Sequence, residues 1–122
     1  MLFRSINFDY VALTQALVKC PSVTPNDEGA LQVVEEHLKN LGFNCTRLPF
    51  SEDGFDDIDN LFAKIGESGK HLAFAGHIDV VPPGNEESWK YPPFSATIAD
   101  GKLYGRGAED IMALLILMLV LL

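Results

Sequence analysis

Leu72-Ala73-Phe74-Ala75-Gly76-His77-Ile78-Asp79-Val80-Val81-Pro82-Pro83 joins a short apolar run to an imidazole and a carboxylate two residues apart. Four consecutive apolar residues, 72–75, predict a strand of the kind that is covered on both faces. Strand side chains repeat every second residue, so His77 and Asp79 are expected to project to the same side at its carboxyl end. That pairing suits a metal ligand, because one ring nitrogen can bind a cation while the other donates to the carboxylate. A second stretch, Gly105-Arg106-Gly107-Ala108-Glu109-Asp110, ends on a further carboxylate beyond a glycine-flanked turn. Asp110 is expected to face the pair, and the glycines to let the backbone pass close to a neighbour such as the metal centre. Each residue also has a plainer role open to it. His77 suits a satisfied buried histidine, Asp79 a turn former before Pro82, and Asp110 the N-cap of a final helix.

The chain has 122 residues, 48% of them hydrophobic, which suffices for one core and sets one domain as the ceiling. Its formal net charge of -8 argues against nucleic acid or an anionic membrane as a partner, since both reward Lys and Arg clusters that are missing here. Cys20 and Cys45 lie far apart and form no CxxC, so neither a zinc knuckle nor a disulfide framework is indicated. The first ten residues do not read as a secretory signal. A reduced, cytoplasmic setting is the expectation.

Around the central stretch, Ile6, Tyr10, Leu13 and Leu17 fall on one face of a helix expected over residues 9–19, ended by Cys20-Pro21. Residues 21–25 form a rigid connector, and Thr24 or Asn26 is expected to cap the next helix. Leu31, Val34, Leu38 and Leu41 make that helix's apolar stripe, and Gly42 stops it. Residues 43–49 predict a strand. The acidic loop 51–59 lacks the ligand spacing and closing Glu of an EF-hand, so it reads as solvated. Residues 60–65 and 71–75 are expected to pair as a hairpin about Gly66-Glu67-Ser68-Gly69. Pro82, Pro83, Pro92 and Pro93 stiffen the loop that follows, with Trp89 and Phe94 packing it onto the domain. Asp100-Gly101, between residues 95–99 and 102–104, is the strongest hairpin signal in the chain. His37 and His71 read as surface residues, and Arg106 as structural, pairing with an acid or a carbonyl. Residues 111–122, IMALLILMLVLL, contain no polar side chain and predict a buried helix cut short; a tail anchor is the alternative, although a bilayer takes about 20 residues.

GHIDVVPPG at residues 76–84, the spacing of Trp89, Pro92, Pro93 and Phe94, and DGKLYGRGAED at residues 100–110 together resemble the zinc-dependent family of acetylornithine deacetylase, aminoacylase and carboxypeptidase G. CPSVTPNDEGA at residues 20–30 is similar to the branch that removes succinyl groups. The likeness runs from about Tyr10 to Asp110, and several motifs agree in order and spacing.

The resemblance implies an α/β fold, an incomplete zinc-peptidase-like catalytic domain with a mixed β-sheet flanked by helices. It implies that His77 binds one zinc, that Asp79 orients it, and that Asp110 bridges two zinc ions, with cobalt admissible at one position. It further implies hydrolysis of the amide of a small N-succinyl amino acid, with a homodimer for the complete enzyme. The family's general-base glutamate, the ligand glutamate beside it, a further acid and a late histidine are expected beyond this sequence. So are the rest of the catalytic domain and the dimerisation domain, and residues 1–122 read as the first part of the catalytic domain. Where the family continues after the aspartate with Met, Lys and two glycines, Ile111-Met112-Ala113-Leu114 stand here, which reads as an altered or out-of-frame end. Ile78 replaces the family's usual Thr. Other functions to weigh are an inactive fragment with weak metal affinity, another amidohydrolase of the family such as acetylornithine deacetylase, and a membrane-tethered binding module.

Overall fold

In a computed structural model of the chain, residues 9–111 are described. Helix α1 spans Tyr10–Val18 and helix α2 Ala30–Asn40. Strands β1 (Asn44–Arg47) and β2 (Leu61–Lys64) follow, then a short 3-10 turn at Glu86–Ser88, strands β3 (Thr97–Ala99) and β4 (Lys102–Tyr104), and helical residues 108–111. The α/β class holds. The single mixed sheet does not form among the described residues: β1–β2 and β3–β4 are separate antiparallel pairs, and the parallel component is one bridge between Val23 and Val80.

Helix α1 starts where Asp9 accepts a hydrogen bond from the Ala12 N–H at 2.9 Å. Leu13, Leu17 and Val18 enter the core as the periodicity requires, whereas Tyr10, assigned to the same face, is exposed; Ile6 lies outside the described residues. Helix α2 ends in a Schellman arrangement. Gly42 takes φ +91°, its N–H meets the Lys39 carbonyl at 2.9 Å, and the Phe43 N–H meets that of Leu38 at 3.0 Å. Its start differs from expectation. The carboxylate of Asp27, not Thr24 or Asn26, accepts from the helix, taking the Leu31 N–H at 3.1 Å. Thr24 is engaged elsewhere.

The core gathers Leu13, Leu17 and Val18 of α1, Ala30 of α2, Ala96 and Ile111. The close approach at Gly105 and Gly107 is to apolar side chains, where the sequence suggests a metal centre. A Cβ at Gly105 would stand 2.3 Å from Val18 Cγ1, and one at Gly107 would stand 2.4 Å from Val80 Cγ1. The hairpin about Asp100-Gly101 forms as read. Both residues take positive φ, 51° and 71°, the twist that matches two antiparallel strands. Trp89 and Arg106 close the proline-stiffened loop. The indole N–H donates to the Pro83 carbonyl at 3.0 Å, and the guanidinium lies 5.0 Å from the indole ring centre.

The largest departure concerns residues 71–75. They form no strand and no hairpin with β2, which instead pairs with β1 in the register Asn44 to Lys64. That pairing continues through reciprocal backbone bonds of Leu48 with Asn60 and of Phe50 with Ile58, so the acidic loop is the tip of this longer hairpin. A strand exists only where another backbone satisfies its N–H and C=O groups. Among the described residues none runs beside 71–77, and Leu72 is left 70% exposed.

Candidate metal-ligand site

Ser22-Val23-Thr24, a stretch that reads from sequence as a connector, lies alongside Ile78-Asp79-Val80. Val80 N–H donates to the Ser22 carbonyl at 2.9 Å and Thr24 N–H to the Val80 carbonyl at 3.2 Å, flanking the Val23–Val80 bridge. The buried Ser22 hydroxyl donates to the Ile78 carbonyl at 2.8 Å. Thr24 Oγ1 donates to Asp79 Oδ2 in a short hydrogen bond. Asp79 is thus held from both its backbone neighbours and its own carboxylate.

His77 is held through Asp79. Its Nδ1 lies 3.1 Å from Asp79 Oδ1 and 3.0 Å from the Asp79 carbonyl oxygen. Both neighbours accept only, so the geometry places a proton on Nδ1. In the neutral ring the Nε2 lone pair is then the one available to a cation, and the His77 side chain is 69% exposed. The Thr24 hydroxyl, and after it the His77 ring, hold the Asp79 carboxyl below its ordinary range against the opposing pull of partial burial. Asp79 therefore stays ionised as the acceptor this arrangement needs.

Between the loop before α2, the tip of the β1–β2 hairpin and residues 76–79 lies an open groove of about 860 Å³. His77 and Asp79 line it, together with Thr24, Asp27, Asp57 and Asp59. Asp59 also receives Arg47 Nη1 at 2.7 Å, while Arg47 Nε meets Glu35 Oε2 at 2.7 Å, which ties the hairpin to α2. Asp110 is exposed, sits inside the helical residues 108–111 instead of capping them, and is not among the residues lining the groove. Among the described residues, no three His, Cys, Asp or Glu side chains are grouped to hold an ion. The structure thus brings His77 and Asp79 together and does not add Asp110 to them. Donor chemistry at His77 suits zinc; the number of ligands does not complete a site.

Thr24 is the residue of this site that sequence reasoning missed. Its signal was present as a hydroxyl in a stretch similar to one motif of a hydrolase family, but capping chemistry explains such a residue equally well.

Residues 73–122 match peptidase family M20/M25/M40. Over 102 residues, 84% of the chain, the sequence is 57% identical to succinyl-diaminopimelate desuccinylase of Bradyrhizobium sp. (strain ORS 278). It is 53% identical over 102 residues to the protein of that name from Rhodospirillum centenum. The fold is similar to that of human carnosine dipeptidase 1, with a TM-score of 0.74 at 25% identity over 84% of this chain and 25% of that one. The chain is a relative of the enzymes of peptidase family M20/M25/M40. Within that class, its curated relatives here are succinyl-diaminopimelate desuccinylases, and the chain spans 27% of the length of the Bradyrhizobium protein.

Proposed function

We propose that residues 1–122 are the first part of the catalytic domain of a metal-dependent amide hydrolase. The reaction is hydrolysis of N-succinyl-LL-2,6-diaminopimelate to succinate and LL-2,6-diaminopimelate. The observation that carries this reading is the His77–Asp79 pair, with Nδ1 engaged by the carboxylate and the rest of the ring exposed on a residue that lines the groove. Its support in kinship is the 57% identity to a desuccinylase.

In this reading His77 is the ligand the groove presents to a pair of zinc ions, one position of which also admits cobalt, and Asp110, exposed and off the groove here, would join it only by moving toward His77. Bound zinc supplies a polarised carbonyl and a water acidified toward neutrality. Asp79 accepts the Nδ1 proton of His77, keeps the ring from turning, and raises the basicity of Nε2. The general base and the remaining ligands come from polypeptide beyond residue 122, as does the dimer interface of a cytoplasmic homodimer. The described helices include none long and apolar enough to cross a membrane.

In this reading the chain supplies part of the ligand set, so by itself it binds metal weakly and does not turn over substrate. Zinc titration by calorimetry tests the reading. The expected result is one weak site that disappears in His77→Ala, with no release of succinate from the succinylated substrate. Zinc binding that His77→Ala leaves unchanged overturns it.

A further inference from the structure

Three features lie outside the ligand pair itself: the acidic lining of the groove, the uncovered apolar run 72–75, and the brace of residues 22–24. The acidic lining includes Asp59, whose Oδ1 is buried without a hydrogen-bond partner, but that side chain is one-third exposed and bound to Arg47. The apolar run has nothing on it to say what covers it. The brace is different, because each of its contacts ends on the segment that presents His77.

We infer that Thr24 is a positioning residue for the metal-ligand histidine: its hydroxyl fixes Asp79, and Asp79 in turn fixes the tautomer and orientation of His77. This rests on the reading of His77 as a ligand. Asp79 has two carboxylate oxygens with separate duties. Oδ2 takes the Thr24 hydroxyl and Oδ1 faces His77 Nδ1 at 3.1 Å. A carboxylate bound at one oxygen only rotates about its Cβ–Cγ bond, a broad and soft torsion. The Thr24 hydroxyl removes that freedom, so Oδ1 stays aimed at Nδ1.

The parallel backbone bonds of Ser22 and Thr24 to Val80, and the Ser22 hydroxyl on the Ile78 carbonyl, hold the two segments in register independently of the Thr24 side chain. The hydroxyl can therefore be deleted without releasing residues 78–80. Thr24 is exposed and its removal leaves no cavity in the core. Its effect belongs to the ligand and not to the fold. Partners behind metal-binding histidines typically change metal affinity 10–100-fold when lost, and for one further step removed the lower end, about tenfold, is expected.

The test uses the full chain, with Thr24→Val as the isosteric deletion and Thr24→Ser as the variant that restores the hydroxyl. In the metal-free protein, long-range nitrogen–proton NMR of the His77 ring reads the tautomer directly at neutral pH. The wild type and Thr24→Ser should show the proton on Nδ1, and Thr24→Val a mixture of both tautomers. Zinc affinity by chelator competition should fall about tenfold in Thr24→Val and recover in Thr24→Ser. Circular dichroism confirms folding, and Thr24→Ala provides the same deletion should valine disturb the chain. A His77 ring that keeps its Nδ1 proton in Thr24→Val and Thr24→Ala, or a wild-type ring protonated on Nε2, overturns the inference. Zinc affinity that is equal in wild type, Thr24→Val and His77→Ala, with the tautomer shifting as expected, would instead refute the ligand role of His77 and leave the brace standing.

Discussion

Residues 89–107 and residues 71–77 both mix apolar side chains with glycine, yet their environments are opposite. In the first, the β3–β4 hairpin closes on itself, Tyr91 and Tyr104 meet with ring centres 4.9 Å apart, and Gly105 lies against Val18. In the second, the more continuous apolar run has no backbone partner among the described residues, and Leu72 and Phe74 face outward. Apolar character favours burial wherever a surface is offered, but it does not create that surface. The boundary between the two regimes falls inside the candidate site. Asp79 belongs to the braced side through Ser22-Val23-Thr24, and among the described residues His77 hydrogen-bonds to Asp79.

The contrast breaks most visibly at matched leucines. Leu17, 1% exposed, is expected to cost about 2–5 kcal/mol of folding stability on replacement by alanine, measured by urea denaturation. At the turn that touches α1, Gly105→Ala is expected to cost about 1–3 kcal/mol, since the new Cβ meets Val18 at 2.3 Å and Val18 must shift within a packed core. A Gly105→Ala chain as stable as the wild type would show that this packing is looser than the contacts require.

Asp79 sharpens the comparison at its boundary. Its folded-state pKa lies below the unfolded one, so its contribution is complete above the ordinary carboxylate range and is lost as pH falls through the folded value. With its side chain about half exposed, solvent screening holds the effect below about 1 kcal/mol. Urea midpoints of wild type and Asp79→Asn should therefore differ slightly near neutral pH and converge as the pH falls through the depressed carboxylate value. Convergence on raising the pH instead would reverse the sign argued here.

Smallest in stability is Leu72→Ser, expected to change folding free energy by no more than about 0.5 kcal/mol while reducing the binding of a hydrophobic dye. A loss of stability like that of Leu17→Ala would mean that residues 71–77 are covered in solution.

Local chemistry was legible in the order of residues. The two helices follow a 3.6-residue periodicity, Gly42 ends α2 because its positive φ is unfavourable for other residues, and Asp100-Gly101 turns β3 into β4 for the same reason. The proximity of His77 and Asp79 was legible too, since two residues is a distance the backbone alone controls. Tertiary structure decided what depends on partners distant in sequence. Whether residues 71–75 become a strand depends on a neighbouring backbone, and β2 was taken by β1 instead. Whether Gly105 and Gly107 serve a metal or a core depends on what stands opposite, and Val18 and Val80 stand there. The hydroxyl of Thr24 reaches Asp79 across 55 residues of chain, a contact that no local pattern encodes because it arises only once two segments lie side by side.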